Sequence, residues 1–114
     1  MNLKKRLKEK KNIYYLLLIV LIFTADRFTK EKIINHYNES NYHLNDFINF
    51  DLIWNSGIGF GLLSLDSPIA YNVVTLFIAI IIISLVYIAI ISDALDRFNL
   101  SLIIGGALGN FYDR

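Results

Sequence analysis

Three apolar runs separated by polar stretches organise the chain. Ile69–Ile91 (IAYNVVTLFIAIIIISLVYIAII) contains no charged residue. As a helix it would measure about 34 Å, enough for a hydrocarbon core of about 30 Å. Asn12–Ala25 (NIYYLLLIVLIFTA) is shorter and ends at Asp26. A basic stretch before it suits a signal peptide, but cleavage after Ala25 would put bulky Phe23 where a small residue is wanted. The pattern therefore predicts an uncleaved first membrane helix over 12–29, with Asp26 in its last turns. The third run is uncharged from Phe98 to Tyr112. At about 22 Å it is short for a span unless its polar end lies near the interface.

The polar stretches carry weaker signals. Residues 31–45 (EKIINHYNESNYHLN) read as loop. From Phe47 to Trp54 the chain partly alternates, with Ile48, Phe50, Leu52 and Trp54 on one side, which is a strand pattern. Asn55-Ser56-Gly57-Ile58-Gly59-Phe60-Gly61 then places glycine at every second position. Such a backbone suits either an ordinary hairpin turn or main-chain pairing with an extended peptide. Asp66-Ser67-Pro68 supplies polar caps and a proline for the start of the next helix.

Charge orients these elements. The formal net charge of +1 hides an excess of Lys4, Lys5, Arg6, Lys8, Lys10 and Lys11 over Glu9 before the first helix. Between the first two helices the acids Glu31, Glu39, Asp46, Asp51 and Asp66 outnumber Lys30 and Lys32. The positive-inside rule predicts a cytoplasmic N-terminus (1–11) and an outer segment over 30–68. A span over 69–91 returns to a cytoplasmic turn at 92–97, and 98–114 runs outward again. Anionic headgroups account for the basic N-terminus more simply than nucleic acid does.

The candidate chemistry lies in carboxylates and amides. The chain has no cysteine, which removes thiol nucleophiles, disulfides and thiolate metal sites. His36 and His43 lack metal-ligand spacing and read as surface histidines, so no metal site is expected. Asp26 and Lys30 have the i, i+4 spacing and order of a helical ion pair. An ionisable group so close to hydrocarbon marks either an interfacial anchor or a site. On the third segment Gly106, Asn110 and Asp113 recur at i, i+4 and i+7 and so share one helix face. Gly105 and Gly109 form a small-xxx-small pattern suited to close packing, which leaves Asn110 and Asp113 unexplained. One carboxylate does not make a peptide hydrolase. Aspartic chemistry needs two that share a proton. No Ser-His-Asp, P-loop or dinucleotide pattern offers another chemistry.

These residues resemble the bacterial type II signal peptidases, or lipoprotein signal peptidases. Asp26, Thr29 and Lys30 fit an Asp-x-x-Ser/Thr-Lys motif. Asn55, Gly57 and Phe60 fit Asn-x-Gly-x-Ala-Phe, with Gly59 in place of the usual Ala. Gly105 to Arg114 fits Gly-Gly-Ala-x-Gly-Asn-x-x-Asp-Arg completely. The resemblance implies a four-helix inner-membrane aspartic peptidase that removes the signal peptide of prolipoproteins before their diacylglyceryl-modified cysteine. It assigns Asp113 as the first catalytic aspartate, with Asp26, Lys30, Asn55, Gly57, Asn110 and Arg114 supporting or lining the site. The second catalytic aspartate belongs to a Phe-Asn-x-Ala-Asp motif and a fourth helix that nothing in these 114 residues matches.

The expected fold is thus an α-helical membrane protein with three transmembrane helices and a small β-containing extracytoplasmic subdomain between the first two. It is expected in the bacterial cytoplasmic membrane, with its site at the outer face. Lipidated prolipoprotein and membrane lipids are the expected partners of a monomer that binds no nucleic acid and needs no cofactor. The 114 residues by themselves are expected to be inactive, because one aspartate cannot act as base and acid at once. Two alternatives are a non-catalytic fragment that binds lipoprotein precursors or another membrane protein, and a small transport component that uses Asp26 and Asp113 as intramembrane charges.

Overall fold

The computed structural model describes residues 2–37, 42–50, 52 and 67–114. It is mostly helical. A short helix α1 (Leu3–Leu7) precedes α2 (Asn12–Tyr37), a hairpin of β1 (Tyr42–Asn45) and β2 (Ile48–Phe50), then α3 (Pro68–Ile91) and α4 (Ala94–Tyr112). Among the described residues, Asn12–His36 of α2 and all of α3 are long and apolar enough to cross a membrane.

Helix α3 is rich in β-branched residues, which have no strong intrinsic preference for helix. In hydrocarbon only a helix satisfies every backbone group within one segment, so solvent overrides propensity. Pro68 at the first helical position needs no N–H partner. Ser67 holds the N-cap position in extended backbone, but its side chain makes no capping hydrogen bond, contrary to the expected polar cap. At the other end Ser92 leaves the helix, and its N–H and Oγ both donate to the Ile88 carbonyl, at 3.0 and 2.7 Å.

Helix α4 packs against both α2 and α3 and carries most of what is buried: Arg97, Ser101, Ile104, Gly105 and Gly109. These positions recur at three- and four-residue intervals, so one stripe of α4 faces its neighbours. Helix α3 adds Ile82 and Ala89. Gly105 and Gly109 permit the close approach of α2. A Cβ on Gly105 would lie 2.7 Å from Cβ of Ile22, and one on Gly109 would collide with the Asp26 carboxylate. A Cβ on Gly106 meets nothing within 4 Å. Leu17, Leu21, Phe77 and Ile83 are all more than half exposed, an outward apolar surface that suits lipid contact.

Two expectations are corrected. Residues 31–45 are not loop throughout, because α2 continues to Tyr37 and β1 begins at Tyr42. The strand expected from Phe47 begins one residue later among the described residues: Phe47 lies in the turn, and Ile48–Phe50 form β2. Asn45 Oδ1 accepts from the N–H groups of Phe47 and Ile48, both at 2.9 Å, and folds the chain there. Asparagine commonly turns a backbone this way, and the strands pair antiparallel around it. Residues 53–66, with the glycine-rich run, lie outside the described residues.

Candidate active site

Where α4 ends, its polar residues meet the polar second half of α2. The four-residue spacing of Asp26 and Lys30 brings Lys30 Nζ within 2.8 Å of Asp26 Oδ2, close as an ion pair though without hydrogen-bond alignment. The same ammonium donates across to α4, to Asn110 Oδ1 at 3.1 Å and Asp113 Oδ2 at 2.5 Å. One lysine thus joins two carboxylates and an amide. The glycine at position 109 makes this possible, because it lets the Asp26 side chain lie against the α4 backbone.

The second oxygen of Asp113 is also taken. Arg27 Nη1 lies 2.6 Å from Asp113 Oδ1. Its guanidinium sits 4.7 Å from the centroid of the Tyr112 ring, which meets Phe23 edge-on at 6.0 Å. Asp113 is therefore held by two cations from successive turns of α2. A groove of about 490 Å³ beside this pairing is lined by Phe23, Arg27, Glu31, Ile34 and Tyr112. The Asp113 and Lys30 side chains are 37% and 31% exposed. Pairs so open to their surroundings contribute only about 0–1 kcal/mol each in water. The cluster is consequently a poor stability device and a good candidate for chemistry.

Arg114 points elsewhere. Its Nε donates to Thr75 Oγ1 at 3.1 Å, and its guanidinium lies 4.5 Å from the Tyr71 ring centroid. Tyr71 O–H donates to the Arg114 carbonyl at 2.9 Å. Arg114 thus ties the end of α4 to α3 and fixes the direction of the turn that carries Asp113. Of the residues singled out in the sequence, Asp26, Lys30, Asn110 and Asp113 come together, and Arg114 braces them from behind. Asn55 and Gly57 lie outside the described residues. Sequence reasoning missed Arg27. Its only signal was its place one turn before Lys30, which puts both cations within reach of the same neighbouring helix.

The described residues define a helical protein with membrane-length apolar helices and a cluster of ionisable groups joining the end of α4 to the second half of α2. The sequence profile of signal peptidase (SPase) II matches residues 18–114, and the chain belongs to that family. A lipoprotein signal peptidase of Pelagibacter ubique is 42% identical over 91% of this chain. That of Francisella tularensis subsp. novicida is 39% identical over 88%, as is that of Aquifex aeolicus. The chain spans 65% of the length of the first two relatives and 60% of the third. No solved structure matches it.

Proposed function

We propose that these residues form the first part of a membrane aspartic endopeptidase that cleaves diacylglyceryl-modified prolipoproteins just before the lipidated cysteine. The observation that carries this reading is the convergence of Asp113, Asn110 and Lys30 where α4 ends. Asp113 is the catalytic carboxylate, paired in the working enzyme with a second aspartate supplied from outside these 114 residues. Two adjacent carboxylates share one proton, since both cannot ionise side by side. The ionised one draws a proton from water as the water attacks the peptide carbonyl. The protonated one polarises that carbonyl and then protonates the leaving amine.

Lys30 and Asp26 support this chemistry by holding Asp113 in register with α2. Asn110 presents an amide beside the carboxylate, and Arg114 braces the turn from α3. Asn55 and Gly57, by family resemblance, line the peptide path. Helix α4 acts as the third membrane span, with its Asp113 end at the outer face of the bacterial cytoplasmic membrane. The hairpin belongs to an outer subdomain over the site, and the substrate's lipid stays in the bilayer. No metal or cofactor takes part.

The test uses a synthetic lipidated prolipoprotein peptide in detergent micelles. The 114-residue polypeptide is expected not to cleave it. A chimera that appends the remaining C-terminal part of the Pelagibacter ubique relative is expected to cleave it, and Asp113→Asn is expected to reduce that rate by at least about 100-fold. Activity unaffected by Asp113→Asn would refute the assignment. One observation favours a second reading, in which the 114 residues bind the precursor without turnover. Both Asp113 oxygens are already committed to Arg27 and Lys30. Saturable peptide binding by the 114-residue chain, with no product formed, identifies that case.

A further inference from the structure

At the opposite end of the bundle, the basic N-terminal segment is folded rather than trailing. Its one acid, Glu9, turns inward and accepts from Arg97 Nη1 at 3.0 Å. Arg97 is only 3% exposed. It also donates to Asn12 Oδ1 at 2.9 Å and to the carbonyls of Ile90 and Ser92, both at 3.0 Å. Asn12 in turn donates to the carbonyls of Arg6 and Leu7, at 2.8 and 3.1 Å. Arg6 is half-buried and reaches the Ser92 carbonyl at 3.4 Å. Glu9 also lies 3.4 Å from Lys11 Nζ, so the segment's single negative charge is shared between buried Arg97 and exposed Lys11, and both arginines of this end point inward.

The remaining cations are all lysines and all exposed: Lys4, Lys5, Lys8, Lys10 and Lys11. Exposed Leu3 and Leu7 sit among them, four residues apart on α1. Asp93 and Asp96 are also exposed near this end, but the lysines outnumber them. The patch adjoins the ends of two apolar helices, α2 and α3, so it lies where the headgroups of a surrounding bilayer would be. We infer that α1 and the lysines around it form a clamped cationic platform that binds the anionic headgroups of phospholipids. Leu3 and Leu7 rest at the level of the upper acyl chains, and lysine stems reach outward to phosphate. The platform is separate from the Asp113 cluster and independent of catalysis.

Spin-labelled phosphatidylglycerol and phosphatidylcholine, each at trace level around the full 114-residue chain in phosphatidylcholine vesicles, give the relative association of the two lipids with the protein. The platform predicts a preference for phosphatidylglycerol of about fivefold or more, the ratio that one surface lysine's attraction represents. The preference shrinks at high salt. Replacing Lys4, Lys5, Lys8, Lys10 and Lys11 together by Gln brings it close to unity, and Lys4→Gln with Lys5→Gln gives an intermediate value. Because all five side chains are exposed, helix content by circular dichroism is expected to stay constant, and that is checked in the same samples. A lipid preference that is absent at the start, or that survives loss of the five lysines, overturns the inference. Neither result bears on whether Asp113 is catalytic.

Discussion

The two ends of α4 handle charge in opposite ways. At its start, Arg97 is almost wholly buried, and four acceptors surround it: Glu9, Asn12 and the carbonyls of Ile90 and Ser92. Both carbonyls belong to the last turn and end of α3, where unpaired acceptors and a negative partial charge attract a cation. At the other end, Asp26, Lys30 and Asp113 remain a quarter to a third exposed, and Lys30 divides itself among three acceptors. Buried and bonded through both terminal nitrogens of Arg97, the first cluster fixes the join between helices. Open and crowded with opposing charges, the second holds groups in place without sealing them. The second arrangement leaves its polar groups within reach of water, and the rigidity of the first keeps the far end of α4 aligned.

Substitution at the buried end sharpens the contrast most. Arg97→Ala leaves Glu9, Asn12 and two carbonyls short of a donor, and is expected to destabilise the protein by about 3 kcal/mol. Reversible unfolding in mixed detergent micelles measures this, and a loss below 1 kcal/mol would remove the clamp's structural role. Next comes the α2–α4 contact. Gly109→Ala drives a methyl group into the Asp26 carboxylate and is expected to cost about 2 kcal/mol. Gly106→Ala, facing open space, is expected to be neutral or to stabilise by up to about 1 kcal/mol. Equal effects at the two glycines would contradict the packing described here.

The smallest effect is a pH dependence at the clamp. The hydrogen bond from Arg97, followed by the nearby Lys11 ammonium, holds the Glu9 carboxyl below its ordinary 4.5. A lowered carboxyl contributes stability that is fully present above its unfolded value and is lost as pH falls through the folded one. Stability measured between pH 6 and pH 3 should therefore fall more steeply in the native protein than in Glu9→Gln. Parallel curves would show that the Glu9–Arg97 pair adds nothing.

Much of this architecture was legible because its causes are local. An uncharged run of membrane length requires helix, and four-residue spacing pairs Asp26 with Lys30 whatever surrounds them. The same periodicity put Asn110 and Asp113 on one side of the third segment, and both do reach Lys30. The glycines were half legible. Their spacing announced a packing face, but only Gly105 and Gly109 meet α2, while Gly106 faces open space. Residues 31–37 misled the reading because a polar helix carries no apolar period to betray it.

By itself, then, the sequence determined the apolar helices, their polar ends and the family to which the chain belongs, since these depend on runs, spacings and motifs within a few turns. The tertiary structure decided which distant charges pair. Glu9 and Arg97 are 88 residues apart, and Lys30 and Asp113 are 83 apart. No local rule links such positions. Only the approach of α4 to its neighbours, set by glycines and by the need to give every buried charge a partner, makes Arg97 a clamp and Arg27 a second hand on Asp113.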